Sequence, residues 1–212
     1  MGKNACVIGD PETVELLGKA LKAAGYTLFI GLPVETEPPY HTWNRRSPIS
    51  TRALVTEALR SLKTIDDVIL VFDTPGLKDP FGELSALAIE TSVDNHLKGP
   101  FFLIREFLNI LDRQGEGALH VVLTPASASA EHPVDSALRG ALVGFLNSLF
   151  TLKRNDGTVL HGFQAMDIEV QEYVENIVSA VTNRQKNYHG RWHRSGSNPG
   201  ILSSLPFGSR KK

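Results

Sequence analysis

Apolar runs of strand length alternate with stretches of helical period along most of this chain. Ala5-Cys6-Val7-Ile8-Gly9 is a short continuous apolar run, the pattern of a buried strand. From Pro11 to Ala24 the apolar positions Val14, Leu17 and Leu21 fall on one helical stripe, and Gly25 supplies a stop. Tyr26 to Ile30 predicts a second strand. Residues 31–50 are rich in Pro, Gly and polar groups and predict a long connection, with a short third strand at Tyr40-His41-Thr42-Trp43. Thr51 to Leu62 predicts a helix through Leu54, Ala58 and Leu62. Asp67 to Phe72 (Asp-Val-Ile-Leu-Val-Phe) does not alternate, as expected of a strand in a sheet covered on both faces.

Past a turn at Thr74-Pro75-Gly76, a long helical region is predicted from about Leu84 to Leu111, bent near Gly99-Pro100 because proline has no N–H to donate. Ala118 to Leu123 predicts a strand, Val134 to Leu152 a helix, Val159 to Phe163 a strand, Val170 to Val181 a helix and Gly190 to Arg194 a final strand. Strand and helix in alternation predict an α/β fold of the Rossmann-like, doubly wound class: one parallel sheet with helices on both faces and right-handed crossovers. The expected organisation is a single domain over 1–195 and a C-terminal tail, 196–212, docked through Ile201, Leu202, Leu205 and Phe207 on its own surface or a neighbour.

Composition changes this picture little. The chain has 212 residues, enough for a sizeable core, with a formal net charge of -1 that offers nothing to a nucleic acid or an acidic membrane. Arg210-Lys211-Lys212 is a small basic tip expected to be solvated. The single cysteine, Cys6, excludes an internal disulfide and a Cys-rich metal site, and its place in the first apolar run predicts a small core residue. No apolar run has transmembrane length and the N-terminus lacks a signal-peptide pattern, so the expectation is a cytoplasmic protein.

The histidines, His41, His96, His120, His132, His161, His189 and His193, have no metal-ligand spacing and are expected in the core or on the surface. Ser127, Ser129 and His132 lie near Asp135, but no Gly-x-Ser-x-Gly elbow supports hydrolase chemistry. One segment stands out: Val134-Asp135-Ser136-Ala137-Leu138-Arg139-Gly140-Ala141-Leu142-Val143-Gly144-Phe145 is a helix of small and apolar residues with Asp and Arg four apart. Such spacing predicts a plain i,i+4 surface pair between Asp135 and Arg139.

That segment resembles the active-site helix of the short-chain dehydrogenase/reductase family, where a Tyr-x-x-x-Lys pair stands at these positions. Asp67–Gly76 resembles the family's central strand and its Asn-Asn-Ala-Gly turn. Ser92–Phe102 resembles the helix carrying the catalytic Asn, here Asn95. Gly117–Thr124 resembles the strand ending in the catalytic Ser, here Thr124. The resemblance runs in order from Ala5 to about Arg194. It implies a Rossmann-like fold and assembly through the helices at about 84–111 and 135–152.

The departures carry equal weight. Asp135 replaces a phenol with a shorter group that is ordinarily ionised, and Arg139 replaces an ammonium with a planar fork. The first βα turn keeps only Gly9. Asp10, Glu12 and Val14 fill the rest, and the acids oppose a diphosphate while suiting an empty helix N-terminus. Glu35 follows Pro33 and is expected in a loop. Ala165-Met166 stands for the family's Pro-Gly motif, and the substrate-covering loop is nearly absent.

Set against the family, the substitutions imply a subunit that is not an enzyme on its own. On that reading Asn95, Thr124, Asp135 and Arg139 are degenerate catalytic positions and Gly9, Asp10, Glu12 and Val14 a degenerate cofactor loop, with no cofactor and no metal. The implied partner is an active short-chain dehydrogenase/reductase paralogue in a heterotetramer. The implied complex is an NAD-dependent hydroxyacyl-CoA dehydrogenase, as in anaerobic toluene degradation. Two alternatives stay open: an oxidoreductase with altered catalytic residues, in which a buried, neutral Asp135 donates a proton, and a regulatory ligand-binding protein. Phe101, Phe102, Phe107, Leu138, Leu142, Phe145, Leu149 and Phe150 are expected to divide about evenly between core and partner, judged by the apolar stripe a surface helix needs.

Overall fold

The computed structural model describes residues 2–33, 40–126, 131–153, 157–183 and 189–196. Glu35, Ser127, Ser129 and the expected tail contacts of Ile201, Leu202, Leu205 and Phe207 lie outside the described residues. Seven parallel strands form one sheet in the order β3-β2-β1-β4-β5-β6-β7. They are β1 (Asn4–Gly9), β2 (Thr27–Leu32), β3 (His41–Thr42), β4 (Asp67–Phe72), β5 (Ala118–Leu123), β6 (Val159–Met166) and β7 (Arg191–Gly196). The helices are α1 (Pro11–Ala23), α2 (Pro48–Leu62), α3 (Ala86–Val93), α4 (Gly99–Gln114), α5 (Pro133–Leu152) and α6 (Val170–Thr182). The predicted α/β, doubly wound class is therefore the observed one.

Period-two alternation within the strands divides the core in two. Cys6 and Ile8 of β1, Val68 and Leu70 of β4 and Leu119 and Val121 of β5 pack beneath α2, α4 and α5. Ala5 and Val7, Ile69 and Val71, and Val122 pack beneath α1 and α6. Every residue of β4 and β5 is buried, as their unbroken apolar runs require. Cys6 is buried and free, and burial pushes its thiol up.

Several boundaries move for local reasons. α2 begins a turn earlier than its apolar stripe, because Ser47 accepts from the Ser50 N–H and Pro48 suits the first helical turn. β6 extends beyond Phe163 to Met166, paired with β7 as far as Gly196. The long helix predicted over 84–111 is interrupted by a π turn at Asp94–Lys98, immediately before Pro100. Pro100 has no N–H to offer the carbonyl four residues back, and the wider turn absorbs the mismatch.

Gly9 has φ 138°, and a Cβ there would lie 1.8 Å from the Val71 carbonyl oxygen. β1 and β4 thus approach so closely that only glycine fits at the head of the first turn. This is a packing reason for Gly9 that needs no ligand.

Candidate functional site

In open parallel sheets the strand order reverses at one point, and a crevice opens beyond the carboxyl ends of the strands there. Here the reversal lies between β1 and β4. A cleft of about 530 Å³ occupies it, lined by Pro11, Pro33, Thr42, Trp43, Asn44, Arg45, Asp73, Asn95 and His96.

Three segments converge on one charged cluster. The chain after β3 is pinned by the Trp43 N–H to the Leu32 carbonyl and by the Trp43 Nε1–H to Thr51 Oγ1. That places Arg45 with its guanidinium 5.9 Å from the Trp43 ring and only 9% of its side chain exposed. Arg45 Nη1 lies 2.6 Å from Asp73 Oδ1 at the end of β4. His96 of the π turn presents Nδ1 3.1 Å from Arg45 Nη1 and 3.1 Å from the Asp73 carbonyl oxygen. Gly99 permits the approach, since a Cβ there would stand 2.9 Å from the Arg45 carbonyl oxygen. Burial alone would raise the Asp73 carboxyl; the His96 hydrogen bond and the Arg45 charge outweigh it and hold the group below its ordinary value. Asp94 is lowered chiefly by its bond to Lys98.

The positions singled out on α5 behave differently from their sequence expectation. Asp135 is 4% exposed, with Oδ2 accepting the Leu77 N–H at 3.2 Å and Oδ1 buried without a hydrogen-bond partner among the described residues. Desolvation raises its carboxyl above the ordinary value. The Leu77 N–H opposes this, Glu131 adds to it, and His132 and His96 oppose it. Arg139 does not pair with Asp135. Its Nε donates to Glu131 Oε1 at 3.0 Å and its Nη1 to the Thr124 carbonyl at 2.9 Å. The expected i,i+4 surface pair is corrected: Asp135 sits in the first turn facing the chain after β4, and Arg139 is drawn to an unpaired strand-end carbonyl. Asn95, half-buried in the π turn, lines the cleft, and Thr124 follows β5 with its N–H on the Phe72 carbonyl.

The cofactor loop is closed on itself. Asp10 caps α1, accepting from the Thr13 N–H at 3.0 Å and from Thr13 Oγ1 at 2.8 Å. Pro11 has no N–H, Glu12 is exposed in the first turn, and Val14 is buried in the core. The Thr13 N–H is thus taken by a carboxylate and Pro11 has none to give, and an incoming negative group would meet Asp10 directly. Gly9, Asp10, Glu12 and Val14 therefore do not form the Gly-rich diphosphate cradle usual in this fold.

Arg45, Asp73 and His96 were not legible as a group, since no motif joins positions so far apart. Tyr173 also comes closer than its sequence position predicts. Its hydroxyl donates to the Leu123 carbonyl at 3.1 Å, fully buried, with the phenol pushed up by burial. Among the described residues no group of His, Cys, Asp and Glu could hold a metal ion, and no helix is long and apolar enough to cross a membrane.

Solved structures share this architecture over nearly its whole length. A short-chain dehydrogenase from Mycobacterium smegmatis superposes with TM-score 0.79 at 13% identity, covering 93% of both chains. A 3-ketoacyl-(acyl-carrier-protein) reductase from Brucella melitensis, complexed with NADH, gives 0.77 at 13% over 91% of this chain and 96% of that one. An alcohol dehydrogenase from Thermococcus sibiricus, complexed with 5-hydroxy-NADP, gives 0.73 at 16% over 92% and 96%. The chain has the short-chain dehydrogenase/reductase fold. No family model and no curated protein matches its sequence. The expectation that the chain is not an enzyme on its own is corrected by these matches: the three structures that share its fold are a dehydrogenase, a reductase and an alcohol dehydrogenase.

Replacing Arg45 by Met leaves Asp73 without its cation in a largely desolvated place. Stability in urea unfolding is expected to fall by about 2–3 kcal/mol, and the Asp73 carboxyl to titrate higher by carbon-13 NMR. Unchanged titration would show that Arg45 does not set the charge of the cleft.

Proposed function

We propose that the chain is an oxidoreductase of the short-chain dehydrogenase/reductase fold with altered acid–base residues, in which the carboxyl of Asp135 is the proton-transfer group. The burial of that carboxyl at the head of α5 carries the reading. An exposed aspartate is ionised near neutrality and only accepts hydrogen bonds, whereas a desolvated one holds its proton longer. In reduction of a carbonyl, Asp135 would give a proton to the alkoxide oxygen formed when a separately bound hydride donor, a reduced nicotinamide in the test below, delivers hydride to the carbonyl carbon. In oxidation of an alcohol, Asp135 would take the hydroxyl proton while the oxidised nicotinamide takes the hydride. Oδ2 is occupied by the Leu77 N–H, and Oδ1, buried without a hydrogen-bond partner among the described residues, is the oxygen that a bound substrate would have to reach. Asn95 and His96 line the cleft at the strand reversal; His132 and His96 work against the burial of the Asp135 carboxyl, which dominates. Arg139 fixes α5 against the end of β5, since both its bonded groups point that way.

A positioned general acid contributes about 10²–10⁴-fold to a rate. The test is turnover of a panel of alcohols, ketones and hydroxyacyl thioesters with NAD(H) and NADP(H), wild type against Asp135→Asn. Asparagine keeps the shape and the Leu77 acceptor but has no proton to exchange. Loss of about 100-fold or more in kcat, with the fold intact by circular dichroism, is expected; equal turnover would overturn the assignment.

We further propose that the chain assembles with a second short-chain dehydrogenase/reductase chain across α4 and α5. Phe107, Leu138, Leu142 and Phe150 are buried in this chain, whereas Phe101, Phe102, Phe145 and Leu149 remain partly exposed. Ala137, Gly140, Ala141 and Gly144 leave one face of α5 open, and a Cβ at either glycine would meet nothing within 4 Å. Native mass spectrometry of protein taken from its own host is expected to show a complex with a second, homologous chain. A monomer would refute the assembly, and a homo-oligomer would replace the paralogue by a second copy of this chain.

A further inference from the structure

The head of α5 holds a second side chain with an unpartnered polar atom. His132 is the N-cap of this helix, and its Nδ1 accepts the Val134 N–H at 3.2 Å. A ring nitrogen that accepts carries no hydrogen, so the hydrogen of the neutral imidazole sits on Nε2. That Nε2 is buried and has no hydrogen-bond partner among the described residues. Capping thus settles the tautomer and leaves over one donor that the fold does not use. A buried N–H without an acceptor is costly, and an acceptor from outside the chain would answer it.

Asp135 is its counterpart. It is the third helical residue after the N-cap, and side chains at these two positions stand side by side, as in a capping box. In that motif the third residue closes back on the N-cap N–H. Here Asp135 instead gives Oδ2 to the Leu77 N–H and keeps Oδ1 buried and unpartnered among the described residues. His132 is close enough for its charge to oppose the burial that dominates the Asp135 carboxyl. The chain after β4 lies against both residues: Leu77 bonds Asp135, and the Phe81 ring stands 6.4 Å from the His132 ring, tilted by 48°. One donor and one acceptor, neighbours on the first turn of α5, are therefore left over beside the same segment. Phe81 is 58% exposed, in a stretch, 78–83, that is exposed throughout. None of these residues belongs to either core cluster, so the stretch can be displaced to admit a substrate without touching the core.

We propose that His132 is the second substrate-binding group of this site: its Nε2–H donates to the oxygen whose proton Asp135 exchanges. The inference rests on the assignment of Asp135 as the proton-transfer group and names the residue that holds the substrate oxygen against it. A carbonyl or hydroxyl oxygen has two lone pairs and can meet both residues at once. In reduction of a carbonyl, negative charge develops on the oxygen as hydride reaches the carbon from a separately bound reduced nicotinamide, and the Nε2–H meets that charge. The Asp135 Oδ1–H proton then passes to the oxygen. The products are an alcohol, the Asp135 carboxylate and the oxidised nicotinamide, and the imidazole keeps its hydrogen. A donor aimed at the developing charge stabilises the transition state more than the ground state, which places its effect in kcat rather than KM.

Asparagine and glutamine at this position separate substrate binding from helix capping. The Asn amide oxygen reproduces Nδ1 and keeps the cap, with no donor where Nε2 stood. The Gln amide nitrogen reproduces Nε2 and leaves the cap weaker. With the best substrate among the alcohols, ketones and hydroxyacyl thioesters, and the fold intact by circular dichroism, His132→Asn is expected to lose about 100-fold in kcat with KM little changed. His132→Gln is expected to recover most of that loss. A residue that only caps the helix gives the reverse order. That reverse order, wild-type turnover in His132→Asn, or equal losses in both variants would each overturn the proposal. Wild-type turnover in His132→Asn beside a loss in Asp135→Asn removes this inference alone. Wild-type turnover in Asp135→Asn, or a wild type inactive toward every substrate, removes the assignment beneath it as well. Nitrogen-15 NMR of the wild-type imidazole needs no variant: the hydrogen is expected on Nε2, and a hydrogen on Nδ1 would remove the donor and the proposal with it.

Discussion

Both faces of the seven-stranded sheet are covered by helices, and that constraint decides where every polar group can go. A parallel sheet buried on two sides leaves no aqueous face for a charged side chain in mid-strand. The ionisable groups accordingly gather at the two ends of the strands. At the carboxyl ends stand Asp73, Arg45, His96, Asp135 and Arg139. In the amino-terminal halves of their strands stand Asp67, His120 and His161. In both places low dielectric separates the groups by partner. Asp73, with a cation and an imidazole, is held ionised; Asp135, with one backbone N–H, is pushed toward its neutral form. Two largely buried carboxylates at the carboxyl end of the sheet thereby acquire opposite tendencies, the separation that acid–base chemistry uses.

The sequence made the scaffold legible because its signals are local. Asp67–Phe72 and Ala118–Leu123 are unbroken apolar runs, and they are the fully buried strands. Gly99-Pro100 marked the bend of the long helix, though not the π turn that carries Asn95 and His96 into the cleft. The site was legible only in part. Asp135 and Arg139 were found through their place on the helix, yet i,i+4 spacing predicted a pair that tertiary contacts replace with Leu77, Glu131 and Thr124. Arg45, Asp73 and His96 meet only because the chain after β3 folds back over the end of β4. The alignment of His120 with His161 was invisible for a related reason: strand register between distant parallel strands leaves no trace in residue spacing.

The first turn shows how one glycine can mislead in either direction. Gly9 looks like the remnant of a phosphate loop, but the Val71 carbonyl already requires it, and the Asp10 carboxylate supplies what an anion would otherwise give the helix. The turn is complete without a diphosphate. The oxidoreductase reading therefore rests on the crevice and on Asp135 rather than on this loop.

Carbon-13 titration of the Asp135 carboxyl, assigned by comparison with Asp135→Asn, tests the central claim most directly. A midpoint clearly above the ordinary aspartate value of about 3.9 is expected, with Asp73 titrating below it in the same spectrum. An Asp135 midpoint at or below the ordinary value would mean that the carboxyl is ionised like any surface aspartate, and the proton-transfer role would fall with it.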